Sequence, residues 1–169
     1  MTVQFNSTVD RWNEELAEAC QELRCSVWFG FESGSQRVLD FVTKGTTVEQ
    51  AYEAARLCRQ HDIACAFNVL LGLPGETEED YLQTVQVFER CPWVHPNPNI
   101  FNPLPGTALY DYCQMNDLLR VPGDYTIWDE GHVRHLGQGP VRGVDYALVL
   151  KYHRLLTEMQ EEPSRSLAR

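Results

Sequence analysis

The stretch that decides the fold is residues 64–77, which read ACAFNVLLGLPGET. Its first eight residues are almost continuously apolar, a pattern that is typical of a strand buried on both faces of a parallel sheet. The glycine and proline residues that follow predict a turn. Thr77 is suited to cap a helix over residues 78–90, whose first turn is acidic as the helix dipole favours. The segment therefore predicts one strand–turn–helix unit of an α/β protein.

Two further strands are predicted upstream of this unit. Residues 3–6 form a short strand candidate, and residues 26–31, SVWFGF, form a second one that is rich in aromatic and β-branched side chains. Between them, residues 11–23 carry apolar side chains at helical spacing, and Asp10 is the expected N-cap. The order is therefore strand, helix, strand.

Two helices are predicted between the second strand and the central one. The first is short and covers residues 36–42. The second is an amphipathic helix over residues 48–61, and Thr46 with Glu49 has the spacing of a capping box at its start.

Downstream, residues 92–98 predict a proline-rich connection, and residues 99–102 a fourth strand. A helix over residues 108–115, an irregular segment over residues 116–141 and a closing helix over residues 144–161 complete the chain. Because strands and helices alternate throughout, the sequence predicts a parallel sheet with right-handed helical crossovers. An open sheet and a partial barrel both fit this pattern.

Composition and charge restrict the function. The 169 residues include 14 basic and 24 acidic side chains, so the net charge is −10. This charge argues against a nucleic acid or an anionic membrane as the main partner. No stretch reaches 18 apolar residues and the first ten residues lack the pattern of a signal peptide, so a soluble cytoplasmic protein is expected. The six cysteines are scattered without a CxxC spacing, as expected for reduced thiols in a cytoplasm.

Three loops rich in glycine, proline and hydroxyl groups each follow a predicted strand: residues 32–35, 72–76 and 103–107. The carboxyl ends of parallel strands meet at one edge of the sheet, where ligands bind. The sequence therefore predicts a ligand site on this edge. The charged candidates are Glu32, Lys44 and Glu76; each can equally serve an ordinary structural role.

Other chemistries have little support in the sequence. His132 and His135 form an HxxH pair, but no CxxC or HExxH motif accompanies them, so no metal site is predicted. No GxSxG motif and no nucleophile–base pairing is visible, so no catalytic residue is assigned.

Three blocks of sequence together resemble the later half of a radical S-adenosylmethionine (SAM) domain. They are residues 30–50 (GFESGSQRVLDFVTKGTTVEQ), residues 67–88 (FNVLLGLPGETEEDYLQTVQVF) and residues 99–113 (NIFNPLPGTALYDYC). The order and spacing resemble those of the group with an upstream cobalamin-binding domain and its methylthiotransferase-like relatives. The resemblance covers roughly residues 1–120. It implies a partial (β/α) barrel of about four parallel units over residues 1–120, with residues 121–169 as an irregular segment and a closing helix packed on it.

The resemblance also implies which residues face SAM. Glu32, Ser33 and Gly34 match the end of the strand that contacts the ribose and methionine parts, and Lys44 matches a basic residue that holds the SAM carboxylate. The remaining matches lie in the two loops expected to enclose the adenine: Leu71, Gly72, Leu73, Pro103 and Leu104.

The departure from the family is the absence of CxxxCxxC, the motif whose thiolates bind the family's 4Fe–4S cluster. Cys25 and Cys65 stand near strand starts and should point away from the ligand edge. The chain is therefore expected to keep SAM-facing loops, to lack the cluster-binding half, and to be inactive alone in reductive SAM cleavage. That half is expected upstream of Met1.

Three hypotheses follow for the whole chain. It is a portion or remnant of a radical SAM enzyme; or a non-catalytic nucleoside-binding or assembly module; or an unrelated α/β enzyme acting on a small anionic metabolite. Half a barrel would leave two unpaired sheet edges, which favour association. A homo-oligomer, or a complementary chain that supplies the other half, is the expected partner.

Overall fold

Alternate residues of the central strands build a sheet with two different faces. The computed structural model describes residues 3–121 and 130–166, with side chains described through residue 160. Within these residues the sheet has the order β1 (Gln4–Ser7), β2 (Ser26–Glu32), β3 (Cys65–Leu71) and β4 (Val94–Ile100), and all pairings are parallel. The α/β partial-barrel prediction is thereby confirmed for the described part of the chain.

The helices follow the strands in the predicted alternation. A 3₁₀ turn (Val9–Arg11) precedes the helices α1 (Glu14–Leu23), α2 (Gln36–Phe41), α3 (Val48–Gln60), α4 (Glu78–Arg90), α5 (Ala108–Met115), α6 (Glu130–Leu136) and α7 (Tyr146–Ser166). Among the described residues, no helix is both long enough and apolar enough to cross a membrane.

The outer face of the sheet holds the main core. Phe29 and Phe67 lie with ring centroids 5.5 Å apart, and Phe31 and Phe67 are 5.0 Å apart. All three side chains are at most 1% exposed. Phe88 of α4 meets this cluster from the helix layer, at 6.3 Å from Phe67. These ring contacts hold α4 against one side of the sheet, and buried residues of α1 and α3 belong to the same core on that side.

Two of the predicted helix caps are wrong by a few residues. Asp10 lies in the 3₁₀ turn, and Asn13 caps α1 instead, with its Oδ1 accepting a hydrogen bond from the Leu16 N–H at 3.0 Å. The capping box of α3 consists of Thr47 and Gln50 rather than Thr46 and Glu49. Thr46 and Thr47 are followed three residues later by Glu49 and Gln50, so the sequence fits a capping box that begins at either threonine. Thr77 is the N-cap of α4, as predicted.

The predicted bounds of the fourth strand are also wrong. The proline-rich residues 92–98 were expected to be a connection, but β4 begins at Val94 and includes Pro96 and Pro98. The N–H of Phe101 donates to the Leu71 carbonyl, and alternate residues of β4 share this orientation, so both proline nitrogens face the open edge. An edge strand tolerates proline in that position because no ladder hydrogen bond is lost.

The segment after α5 contains regular structure in the residues that the structure describes, and residues 122–129 of the predicted irregular segment lie outside them. Residues 116–141 were expected to be irregular, yet they include α6 and an antiparallel bridge between Leu119 and Val141. α7 then packs along β4 and against α4, where the rings of Tyr81 and Tyr152 lie 5.2 Å apart. The division of the chain at residue 120 stays a prediction.

Candidate functional site

The loops after β2 and β3 leave the sheet at the same edge, which we call the rim. Glu32, the last residue of β2, is in register with Val69 of β3. Gly72 lies three residues beyond Val69, directly after the end of β3. The rim therefore collects the loop of residues 32–35, Lys44 and the loop of residues 72–76 on one edge, as the sequence predicted.

Glu32 and Lys44 form the central contact of the rim. The Lys44 Nζ donates to Glu32 Oε1 at 2.6 Å, and the side chains are only 24% and 17% exposed. Glu32 has a φ of +74°, in the left-handed region that non-glycine residues rarely adopt. A Cβ at Gly30 would lie 3.0 Å from the Lys44 Nζ. Gly30 thus provides the space in which the cation lies over the inner face of the sheet.

Ser33 and Gly34 face the helix layer rather than the space above the ion pair. The Gly34 N–H donates to the Thr84 Oγ1 of α4 at 2.9 Å, and Ser33 Oγ lies 3.4 Å from the same oxygen. A Cβ at Gly34 would lie 2.5 Å from the Thr84 Cα. The serine hydroxyl and the glycine therefore fix the loop after β2 onto α4, and the SAM contacts that the resemblance implies for them stay predictions.

Asp80 is the charged residue beneath this loop. It is 3% exposed, and its Oδ1 accepts a hydrogen bond from the Ser35 Oγ at 2.6 Å. Its Oδ2 accepts from the Thr77 N–H at 2.8 Å and from the guanidinium of Arg37. Although burial opposes ionisation, these donors prevail and lower the pKa of Asp80 to about 2. The carboxylate joins the loop after β2 to the start of α4.

Arg37 extends the same connection to the loop after β3, since its Nη2 also donates to the Gly75 carbonyl at 3.0 Å. Sequence reasoning missed this network. The spacing of 43 residues between Arg37 and Asp80 carries no local signal, and an acidic residue in the first turn of a helix is explained by the dipole alone.

Glu76 holds the loop after β3 from within. Its Oε2 accepts from the N–H groups of Gly72 and Leu73, each at 2.8 Å. Burial raises the pKa of Glu76 to about 7, and the hydrogen bonds from Leu73 and Gly72 oppose that shift. Gly72 has a φ of +89°, so glycine is favoured there. Glu76, one of the charged candidates in the sequence, thus shapes the loop.

The other predicted residues take different positions. Leu71 and Leu73 bury their side chains in separate apolar clusters, so that the backbone of their loop remains to form the rim. Pro103 is half-buried, and Leu104 is 49% exposed after β4. The Leu104 carbonyl accepts a hydrogen bond from the Thr107 Oγ1 at 2.7 Å, which shapes that loop. Their assignment to SAM stays a prediction.

The six cysteines do not form a cluster site. All are buried, and Cys25 and Cys65 lie at the amino ends of strands, away from the rim. Burial raises the pKa of Cys20, Cys91 and Cys113, which disfavours the thiolate that a metal requires. Within residues 3–121 and 130–160, no three His, Cys, Asp or Glu side chains are placed to hold a metal ion. The described residues do not fit an iron–sulfur cluster.

The rim presents two opposite charges that are complementary to those of a zwitterion. A zwitterion carries one ammonium and one carboxylate, and the rim presents one carboxylate and one ammonium side by side. Lys44 has three N–H donors, of which Glu32 uses one. A ligand carboxylate and a ligand ammonium could therefore each meet an opposite charge.

Comparison with known proteins shows which family model the chain matches and how much of each relative it covers. Residues 1–88 match the family model described as Radical SAM superfamily. An uncharacterized methyltransferase of Pyrococcus horikoshii is 33% identical over 115 residues, which are 68% of this chain and 25% of the relative. A tRNA-2-methylthio-N(6)-dimethylallyladenosine synthase of Sulfurihydrogenibium is 27% identical over 66% of this chain and 28% of the relative. The chain thus spans about a quarter of the length of these relatives.

A solved structure shows the same fold. The radical S-adenosylmethionine methyltransferase TsrM from Kitasatospora setae, with cobalamin and a 4Fe–4S cluster bound, matches with a TM-score of 0.56. The match covers 77% of this chain and 27% of that chain at 20% sequence identity.

Proposed function

This chain belongs to the radical SAM superfamily, and we propose that it is the SAM-facing portion of a methyl- or methylthio-transferring assembly. In this function the rim binds the amino-acid and adenosyl parts of SAM, and the cluster is held by residues that this chain does not contain. SAM would supply the alkyl-sulfonium group on which the chemistry of the family depends.

The observation that carries this proposal is the ion pair between Glu32 and Lys44. Two half-buried charges at the end of a strand, with Glu32 in a left-handed conformation, are costly for stability alone. Such a cost is typical of a binding site. In the proposed role Lys44 binds the ligand carboxylate, and Glu32 orients Lys44 and accepts from the ligand ammonium or ribose.

The loops on either side complete this role. Glu76 preshapes the backbone at Gly72 and Leu73, against which the adenine would lie. Pro103 and Leu104 would close the other side of the base. Arg37 and Asp80 connect the loops after β2 and β3, so the two halves of the site keep a fixed spacing.

Calorimetric titration with S-adenosylhomocysteine tests the proposal without any cluster. Lys44→Ala and Glu32→Gln should each weaken binding about ten-fold or more, because a charge-assisted hydrogen bond contributes about 1.5–3 kcal/mol. Lys151→Ala and Glu78→Gln are matched controls, since these two residues form an exposed ion pair on α7 and α4. Absence of binding by the wild type, or equal losses in the control variants, would contradict the proposal.

A second function, assembly, is favoured by the sheet edges. In the described part of the chain, β1 and β4 each pair on one side only, and the inner face of the sheet is partly open. Because the proline nitrogens of β4 face its open edge and cannot donate, a second copy or a complementary chain would extend the sheet at β1 toward a closed barrel. We expect light scattering at micromolar concentration to give twice the monomer mass of 19.4 kDa, and a stable folded monomer would overturn the homodimer.

A further inference from the structure

A small cavity lies on the inner face of the sheet, away from the rim. It has a volume of about 110 Å³, and its walls include Trp28, Ala66, His95, Asn97 and Gln160. A closed apolar cavity of ~150 Å³ accepts one benzene ring, so this smaller, half-open space would hold one edge of a planar ring system and leave the rest of the ring outside it.

The shape of the cavity follows from the strand register. Trp28, Ala66 and His95 are partners across β2, β3 and β4, so they form one row on the inner face. Two strand spacings separate the outer members of this row by ~10 Å, and the small alanine lies between them. A planar ring between two flanking rings needs van der Waals contacts of about 3.5–4 Å on each side, which this gap accommodates.

The polar atoms of the two flanking rings are available. Neither the indole nitrogen of Trp28 nor the imidazole of His95 makes a hydrogen bond to any other residue that the structure describes. Trp28 also makes no ring contact with another aromatic side chain in that part of the chain, in contrast to Trp12 and Phe29, which pack together. The row therefore presents two aromatic surfaces that the fold itself does not use.

Asn97 lines the cavity, and its side-chain amide pairs with that of Asn68, which lies beside the cavity on the side toward the rim. Asn68 and Asn97 are partners in the next inner-face row, and the Asn97 Nδ2 donates to Asn68 Oδ1 at 2.7 Å. This contact leaves the Asn68 amide N–H as a donor and the Asn97 amide oxygen as an acceptor. If both side-chain amides were flipped, the donor and the acceptor would change places, and one of each would still remain. Adjacent donor and acceptor groups recognise an amide-like edge, as asparagine does with a base edge.

From this arrangement we propose that the inner face binds a planar heterocycle with an amide-like edge. The ring lies over Ala66 between Trp28 and His95, and its donor–acceptor edge meets Asn68 and Asn97. Trp28 precedes Glu32 by four residues, or ~13 Å along the strand, so the ring lies away from the rim, while Asn68, in register with Gly30, places the amide end of the slot next to it. The proposal does not depend on SAM binding at the rim.

Titration with isoquinolinone, a planar bicyclic lactam, tests the slot directly. Two-dimensional NMR of the wild-type chain should show saturable shifts of the Trp28 indole N–H and of the side-chain amides of Asn68 and Asn97. Decahydroisoquinolinone keeps the lactam edge but is not planar, and it should bind at least about ten-fold more weakly, a difference of 1.4 kcal/mol. Equal binding of the two compounds would overturn the proposal without any variant.

Two substitutions from alanine to leucine locate the binding. Ala66→Leu fills the slot and should remove the shifts, whereas Ala147→Leu, on an exposed position of α7, should leave them unchanged. No shifts at millimolar ligand in the wild type, shifts confined to Glu32 and Gly72, or full binding by a folded Ala66→Leu variant would each overturn the proposal. If Ala66→Leu does not fold, the planar and saturated compounds still decide the outcome.

Discussion

Along β2, Val27, Phe29 and Phe31 are almost completely buried, whereas Trp28 and Gly30 on the opposite face are partly open to solvent. β3 repeats the contrast, with Phe67 and Val69 against the helices and Asn68 on the inner face. One face therefore supplies most of the buried apolar packing, and the other presents polar and aromatic groups that are partly open to solvent. A single sheet performs both roles because successive side chains of a strand point to opposite sides.

The largest expected effect lies on the outer face. Phe67→Ala removes a ring that meets those of Phe29, Phe31 and Phe88, and it should lower the free energy of unfolding by about 3–5 kcal/mol. Its neighbour on the inner face offers a control, since Asn68→Ala removes one hydrogen bond and should cost about 0.5–1.5 kcal/mol. Urea denaturation measures both. Equal losses of unfolding free energy in the two variants would mean that both faces of the sheet contribute equally to stability, and they would contradict this contrast.

Two glycines sharpen the comparison at the rim. The Cβ of Gly34→Ala would meet the backbone of Gln83 and Thr84 at 2.6 and 2.5 Å, so the loop must move off α4, at a cost of about 3 kcal/mol. The Cβ of Gly30→Ala would meet the flexible end of Lys44 at 3.0 Å, which can shift at little cost. Gly30→Ala should therefore weaken binding of S-adenosylhomocysteine while the melting temperature hardly changes. A large loss of stability in Gly30→Ala would contradict this separation.

The smallest of the three effects depends on pH. Because the pKa of Asp80 is lowered to about 2 from an ordinary value of 3.8, its contribution to stability is present above about pH 4 and is lost as the pH falls through 2. Asp80→Asn should lose about 2 kcal/mol at neutral pH. The unfolding free energies of the variant and the wild type should converge near pH 2. Asp117→Asn, at an exposed aspartate, is the control. If the unfolding free energies of Asp80→Asn and the wild type differ by the same amount at every pH, the network does not have this role.

The alternating strands and helices were accessible from the sequence because their signals are local. The apolar run of β3 and the acidic opening of α4 each specify one element without reference to the rest of the chain. Elements whose stability depends on distant contacts were misjudged. β4 contains prolines that only an edge position tolerates, and α6 lies in a segment whose composition suggests a loop.

The candidate site divides in the same way. Glu32, Lys44 and Gly72 could be placed on one edge because parallel strands end together. The role of Ser33 and Gly34 as anchors on α4, and the link from Arg37 to Asp80, connect residues that are 43 to 51 positions apart. No periodicity encodes such pairs.

By itself the sequence determined the parallel α/β architecture, the rim and its charged residues, since each follows from short-range patterns of burial and turn chemistry. The tertiary structure alone decided which polar atoms are occupied. It directs Ser33 toward α4 and Glu76 into its own loop, and it aligns Trp28, Ala66 and His95 in one row. Strand register is fixed by the packing of the whole sheet, and one residue of slip would exchange the two faces.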